Sequence, residues 1–179
     1  MFEQSDEQIN LKYELEIINS SESRKSLKLN EHYEQTYLEL AVEKFYSSFF
    51  QRKSFWKHTG LEQIMGFNVK QLLDDDEPAT TYRGNNRKGI ITINPSCSSV
   101  KRRLEEGNEH AGLFGAVMNL SRIVAHELTH QNNRNHNKEF YKESEEVAYK
   151  LIPSIIRYFP KYCKSRIVEF KVNPKIDID

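Results

Sequence analysis

Residues Leu113 to Gln131 constrain the fold more than any other stretch of the chain. Leu113, Val117, Leu120, Val124 and Leu128 recur at three- and four-residue intervals. That spacing puts side chains on one face of an α-helix. The same run carries His126-Glu127-Leu128-Thr129-His130. Helix positions four apart lie one above the other, so His126 and His130 share a face. A helical wheel sets both rings roughly 100–140° from the centre of the apolar stripe. One face can enter a core while the imidazoles line a cleft.

Around this helix the chain reads as an α+β domain. Residues 1–30 are polar and Ser-rich, a weakly packed lead-in in which Tyr13, Leu15, Ile17 and Ile18 could form a strand or a helical turn. From Glu31 to His58, Tyr37, Leu38, Ala41, Val42, Phe45, Phe49 and Phe50 predict an aromatic-rich helix. Residues 59–78 are irregular, and Asp74-Asp75-Asp76-Glu77-Pro78 reads as a solvated loop, without the spaced ligands of a calcium loop.

A hairpin follows. Thr80–Arg83 is its first strand, Gly84–Gly89 its turn and Ile90–Ile93 its second, strongly β-prone strand. Lys101–His110 is charged and suits a short helix or a loop. Asn132–Asn135 ends the Leu113–Gln131 helix. A further helix runs from Lys138 to Ile152, is kinked or restarted by Pro153, and continues through Ile155–Phe159 to Pro160. The expected layout is a lead-in over 1–30, one domain over 31–160, and a C-terminal tail over 161–179 with a strand near Arg166–Val172.

Composition removes several functions. Lys and Arg total 26 and Asp and Glu total 26, so bulk charge gives no reason to expect nucleic acid as the main partner. The two cysteines, Cys97 and Cys163, form no CxxC pair and so no cysteine zinc module. They read as reduced thiols of a cytoplasmic protein. Residues 1–10 lack the basic and apolar regions of a signal peptide, and no stretch approaches the ~20 apolar residues of a membrane span.

The chemistry follows from the helix. Two imidazoles one turn apart can share a zinc ion at ~2.0–2.1 Å. Glu127 sits about 100° further round and can reach a water at the metal. It is placed to act as general base and then as general acid toward a leaving amine. A catalytic zinc takes three protein ligands. His136 is the candidate third, because the polar Gln131–Asn135 segment can turn the chain back; Glu143, Glu145 and Glu146 compete. Glu143 or Glu146 could accept from a ligand's second ring nitrogen. Tyr141, Tyr149, Arg157 and Tyr158 are candidate donors to an oxyanion.

His126-Glu127-Leu128-Thr129-His130 followed by Asn135-His136-Asn137-Lys138-Glu139-Phe140-Tyr141 resembles the signature of WLM-type and YgjP-type metalloproteases and, more distantly, of SprT/Spartan-like proteases. The resemblance is concentrated in residues 113–152. It implies a small zincin-like domain, Zn²⁺ held by His126, His130 and His136, catalysis by Glu127, and an aromatic residue packed behind the third histidine. It also implies an edge strand that holds extended peptide substrate, for which Ile91, Thr92 and Ile93 are the candidates. Asn137 departs from the Gly, Ser or Asp found there in the family.

The expected function is a zinc metallopeptidase acting on protein or peptide, with action on DNA-associated proteins carried by the resemblance alone. Arg157, Lys161, Lys164 and Arg166 interleave with Tyr158, Phe159 and Tyr162 and could give weak DNA contact; Lys101-Arg102-Arg103 forms a second basic cluster. The alternatives are a non-catalytic zinc-binding module, a DNA-associated interaction module on the same fold, and a metal-assisted hydrolase of another bond. No membrane partner is expected.

Overall fold

Thr36-Tyr37-Leu38-Glu39 is a capping box, and it starts the first long helix. In a computed structural model of the chain, which describes residues 27–172 with side chains through Arg166, Glu39 N–H donates to the Thr36 hydroxyl (3.2 Å) and Thr36 N–H to the Glu39 carboxylate (3.1 Å). Helix α1 (Tyr37–Phe50) therefore begins six residues later than the apolar spacing suggests. Gln51 and Arg52 separate it from α2 (Lys53–Thr59), which ends at Gly60 in a left-handed conformation. Val42, Phe45, Tyr46, Phe49 and Phe50 are buried and, with Phe55 and Trp56, form the aromatic half of the core. Tyr37 belongs to the same periodicity but is exposed.

Six short strands make two small sheets. β1 (Lys28–Leu29), β3 (Leu72–Asp74) and β4 (Glu77–Pro78) pair in the order β1-β3-β4, all antiparallel. The acidic run is solvated as expected but forms a hairpin in place of a loop, with Asp75 and Asp76 taking positive φ at its turn. The end of the supposed lead-in is also built in. Leu27 is buried against Leu72 and Ala79, while residues 1–26 lie outside the described part of the chain.

The second sheet has the order β2-β6-β5, with β2 (Gly66–Val69), β5 (Gly84–Arg87) and β6 (Ile90–Ile93). It is mixed: β2 runs parallel to β6 and β5 runs antiparallel to it. The first hairpin strand thus lies four residues later than expected. Lys88 and Gly89, with φ of 53° and 76°, make a two-residue turn whose twist fits antiparallel strands. That turn brings Gly84–Arg87 into register with Ile90–Ile93 despite weak β-propensity. Buried Asn94 links the sheets. Its amide donates to the Ala79 and Tyr82 carbonyls (2.6 and 2.7 Å), and its Oδ1 accepts from Leu72 and Ser96 N–H.

Helix α3 (Ser98–Thr129) is two arms joined at Ala111–Gly112, where φ is −147° and then +60°. The charged Lys101–His110 stretch is the first arm. The arms fold against each other: Asn119 donates to the Arg103 carbonyl (3.0 Å), and a Cβ on Gly107 would lie 2.4 Å from the Gly115 carbonyl oxygen. Val117, Leu120, Val124 and Leu128 of the expected stripe are fully buried.

Helix α4 (Lys138–Val172) runs through Pro153 and Pro160 and through Arg166–Val172. The expected interruption and the strand in the tail are both corrected. The prolines are seven residues apart on the exposed side, and the carbonyls they deprive of donors belong to exposed Tyr149 and Ile156. Water can satisfy such carbonyls, so the helix persists at each proline. Leu151, Ile155 and Tyr162 bury the opposite side against α1 and α3, holding residues 161–166 in helix. The chain is thus mixed α+β. Among the described residues no helix is long and apolar enough to cross a membrane.

Candidate metal centre

The end of α3 and the start of α4 build the site. Gln131, Asn132 and Asn133 close the helix with N–H bonds to Leu128 and Thr129 carbonyls. Asn133 then shapes the turn: its Oδ1 accepts from Asn135 N–H (3.1 Å) and its amide donates to Asn137 Oδ1 (3.2 Å). Asn137 Oδ1 also accepts from Phe140 N–H at 2.8 Å, which makes Asn137 the N-cap of α4. The polar run that the sequence suggests can turn the chain back is thus a bonded turn that returns His136 to the helix face.

His126, His130 and His136 meet there, each half-buried. His136 Nε2 lies 3.1 Å from His126 Nε2 and 3.2 Å from His130 Nε2. Tetrahedral ligands at ~2.0–2.1 Å from one ion stand about 3.3–3.4 Å apart, so three converging ring nitrogens at this spacing fit a single metal ion. The tautomer agrees. His130 Nδ1 is 3.1 Å from the Asn133 carbonyl, which can only accept. Nδ1 therefore carries the proton, and Nε2 keeps the lone pair a metal needs. Glu143, Glu145 and Glu146 do not join the cluster. Glu145 instead pairs with Arg122 across α3 and α4 at 2.7 Å, and one oxygen of Glu143 is buried without a hydrogen-bond partner.

Phe140 forms the floor. It is fully buried, and its ring centroid lies 4.8, 4.6 and 4.9 Å from those of His126, His130 and His136. An aromatic in contact with all three rings limits their rotation and keeps water from the rear of the site. Tyr141, about two-fifths exposed, stacks beside His136 at 6.4 Å. The other candidate donors stand elsewhere: the Tyr158 hydroxyl meets Ser48 Oγ at 2.6 Å in the aromatic core, and Tyr149 and Arg157 are exposed on α4.

Glu127 is only 4% exposed because β5 covers it. Asn86 Nδ2 donates to its backbone carbonyl (2.8 Å). A Cβ on Gly84 would lie 3.3 Å from Glu127 Oε1 and 2.6 Å from the Thr92 carbonyl oxygen. A glycine is therefore what lets the strand approach both the helix and its neighbour. Gly84 and Asn86 were read as turn residues in the sequence. A Gly-Asn-Asn run before a two-residue Lys-Gly turn is the signal that places them in a strand.

Ile91, Thr92 and Ile93 do not lie on a sheet edge, as the sequence reading expects. β6 is the central strand, paired on both sides, and these residues are 0–4% exposed. The edge next to the site is β5. On the opposite edge, side chains of α1 and the residues before it occupy β2: Val69 N–H donates to Glu43 (2.8 Å), Gln35 donates to the Val69 carbonyl (2.8 Å), and Ser47 donates to the Phe67 carbonyl (3.4 Å).

The basic clusters are partly engaged. Lys101 and Arg102 face Glu105 and Glu106 at 3.9 Å, and Arg166 lies over the Tyr162 ring at 5.0 Å. Comparison with protein-family models, curated proteins and solved structures finds no match to this chain.

Proposed function

We propose that the chain is a zinc-dependent metallopeptidase on a zincin-like fold, with zinc held by His126, His130 and His136. The observation that carries the reading is a three-imidazole cluster at metal-ligand spacing with an almost fully buried glutamate next in sequence to one ligand. A structural zinc closes with four protein ligands and has no use for such a carboxylate, whereas catalytic sites stop at three. Imidazole donors suit zinc among the available divalent ions.

Zinc, when bound by the three histidines, would supply Lewis acidity and a water that is nucleophilic near neutral pH. The chain's own residues do the rest. Glu127, held by Asn86 and roofed by Gly84, removes a proton from the attacking water and passes it to the departing amine. Phe140 and the Asn133 carbonyl fix the ligand rings. Tyr141, partly exposed and stacked beside His136, is the phenol placed at the site for stabilising an oxyanion. An extended peptide pairs with the outer edge of β5, which is unpaired among the described residues and lies over Glu127.

The chain is tested by elemental analysis and by turnover of a denatured protein substrate before and after chelation. One zinc per chain, with cleavage lost on chelation and restored by zinc, supports the reading. A metal-free chain, or a zinc-loaded one that cleaves no polypeptide, contradicts it.

A further inference from the structure

Among the described residues, the outer edge of β5 is unpaired and carries positive charge with no acidic partner. From Pro78 to Leu104 the sequence contains no Asp or Glu, although the chain as a whole is neutral. Arg83 and Arg87 are exposed. Among the described residues neither forms an ion pair; the Arg87 guanidinium donates to the Leu27 carbonyl at 3.3 Å.

The register fixes where these charges stand. A two-residue turn makes Arg87 and Ile90 a hydrogen-bonded pair, so Arg87 and Asn85 direct their backbone groups to β6. Arg83 continues the ladder through its carbonyl, which accepts from Asn94 N–H at 2.9 Å. The N–H and C=O of Gly84 and Asn86 therefore face outward. Their side-chain positions face α3 and Glu127, while alternation sends Arg83, Asn85 and Arg87 to the other face.

We propose that this edge selects an extended peptide with an acidic side chain at the position facing Asn85, and that Arg83 and Arg87 are the specificity-determining residues. The proposal rests on the peptidase reading. A peptide antiparallel to β5 bonds to Gly84 and Asn86. Its residue between those two bonding positions lies opposite Asn85, in the pair type with the closest side chains. The arginines are its diagonal neighbours on the same face, within reach of long side chains. A carboxylate there meets two guanidinium groups and the Asn85 amide, and a lysine meets two like charges. The same cations discourage a second copy of the chain from pairing edge to edge.

The test uses fluorescein-labelled dodecapeptides that differ only in Glu, Gln or Lys at one position, scanned along the peptide. Binding is read by anisotropy on zinc-loaded Glu127→Gln and cleavage on the wild type. The expected result is one position at which Glu binds about three- to tenfold tighter than Gln, the scale of two exposed ion pairs, and Lys binds weaker still. Arg83→Gln with Arg87→Gln abolishes the difference, and Arg83→Glu with Arg87→Glu transfers the preference to Lys. High salt reduces it. Lys101→Gln with Arg102→Gln, on α3 where each cation faces a glutamate, leaves it unchanged.

No acid preference, a preference indifferent to the arginine variants, or arginine-dependent binding of a single-stranded oligonucleotide in place of the acidic peptide would overturn the proposal. Cleavage without acid preference sinks the specificity and leaves the peptidase reading intact. Arginine-dependent binding of the Glu peptide with no cleavage by the zinc-loaded wild type supports the docking edge and sinks the peptidase reading.

Discussion

Gly84 is a residue whose role comes from what it lacks. Any side chain there meets the Thr92 carbonyl at 2.6 Å and the Glu127 carboxylate at 3.3 Å. Gly84→Ala is expected to cost about 1–3 kcal/mol by overpacking and to lower turnover by displacing Glu127, with zinc content unchanged. Thermal denaturation and elemental analysis on one preparation check this. Phe140 acts by presence. Phe140→Ala removes the floor under three ligand rings, with an expected loss of about 3–5 kcal/mol and a zinc affinity about 10–100-fold weaker. Competition with a chelator of known affinity reads the second effect. The three histidines and Glu127 were legible in the sequence because their spacing is a property of one helix and one short turn. Phe140 was legible as an aromatic behind the third histidine. Gly84, Asn86 and Asn133 were not, because their roles depend on which backbone lies opposite them.

At the scale of elements, the long helices were legible where burial on one face follows a regular period, and hidden where it does not. The α3 stripe is fully buried from Val117 to Leu128 and partly buried at Leu113. The unbroken course of α4 was hidden because proline is usually read as a helix stop, and part of that cost is relieved when the orphaned carbonyl faces water. The sheet was harder. β6 was recognisable from Ile90–Ile93, but its pairing with distant β2 has no local signal, and a central strand was mistaken for an edge. Tyr46 ties the elements together: its hydroxyl donates to the Val117 carbonyl of α3 at 2.7 Å. Burial raises its pKa above the ordinary 10.0. The folded state holds that proton more tightly than the unfolded state. Its contribution is therefore complete below pH 10 and is lost as pH rises toward the folded value. Urea midpoints measured from pH 8 to 11.5 are expected to fall above pH 10, and to fall less steeply in Tyr46→Phe.

For the whole molecule, the candidate metal centre lies where two packing systems meet. The aromatic core sets α1 against α3 and α4, and the Asn94 network fixes the smaller sheet beside the larger one. Together they deliver β5 to the motif helix. The ligands come from α3 and the start of α4, so metal binding joins elements that otherwise meet through packing and the exposed Arg122–Glu145 pair. A metal bound only by the folded state stabilises it by about 4 kcal/mol at a thousandfold excess over Kd. Zinc is expected to raise the melting temperature by several degrees, chelation to reverse the gain, and His136→Ala to show neither response. Differential scanning fluorimetry with and without zinc checks this.

The central claim is that Glu127 performs proton transfer at a three-histidine zinc site. The most direct measurement is peptide-bond cleavage by wild type and Glu127→Gln, each shown to carry one zinc per chain. Equal metal content and a rate lower by about 10²–10⁴-fold in the variant are expected. Equal rates at equal zinc occupancy would contradict the claim.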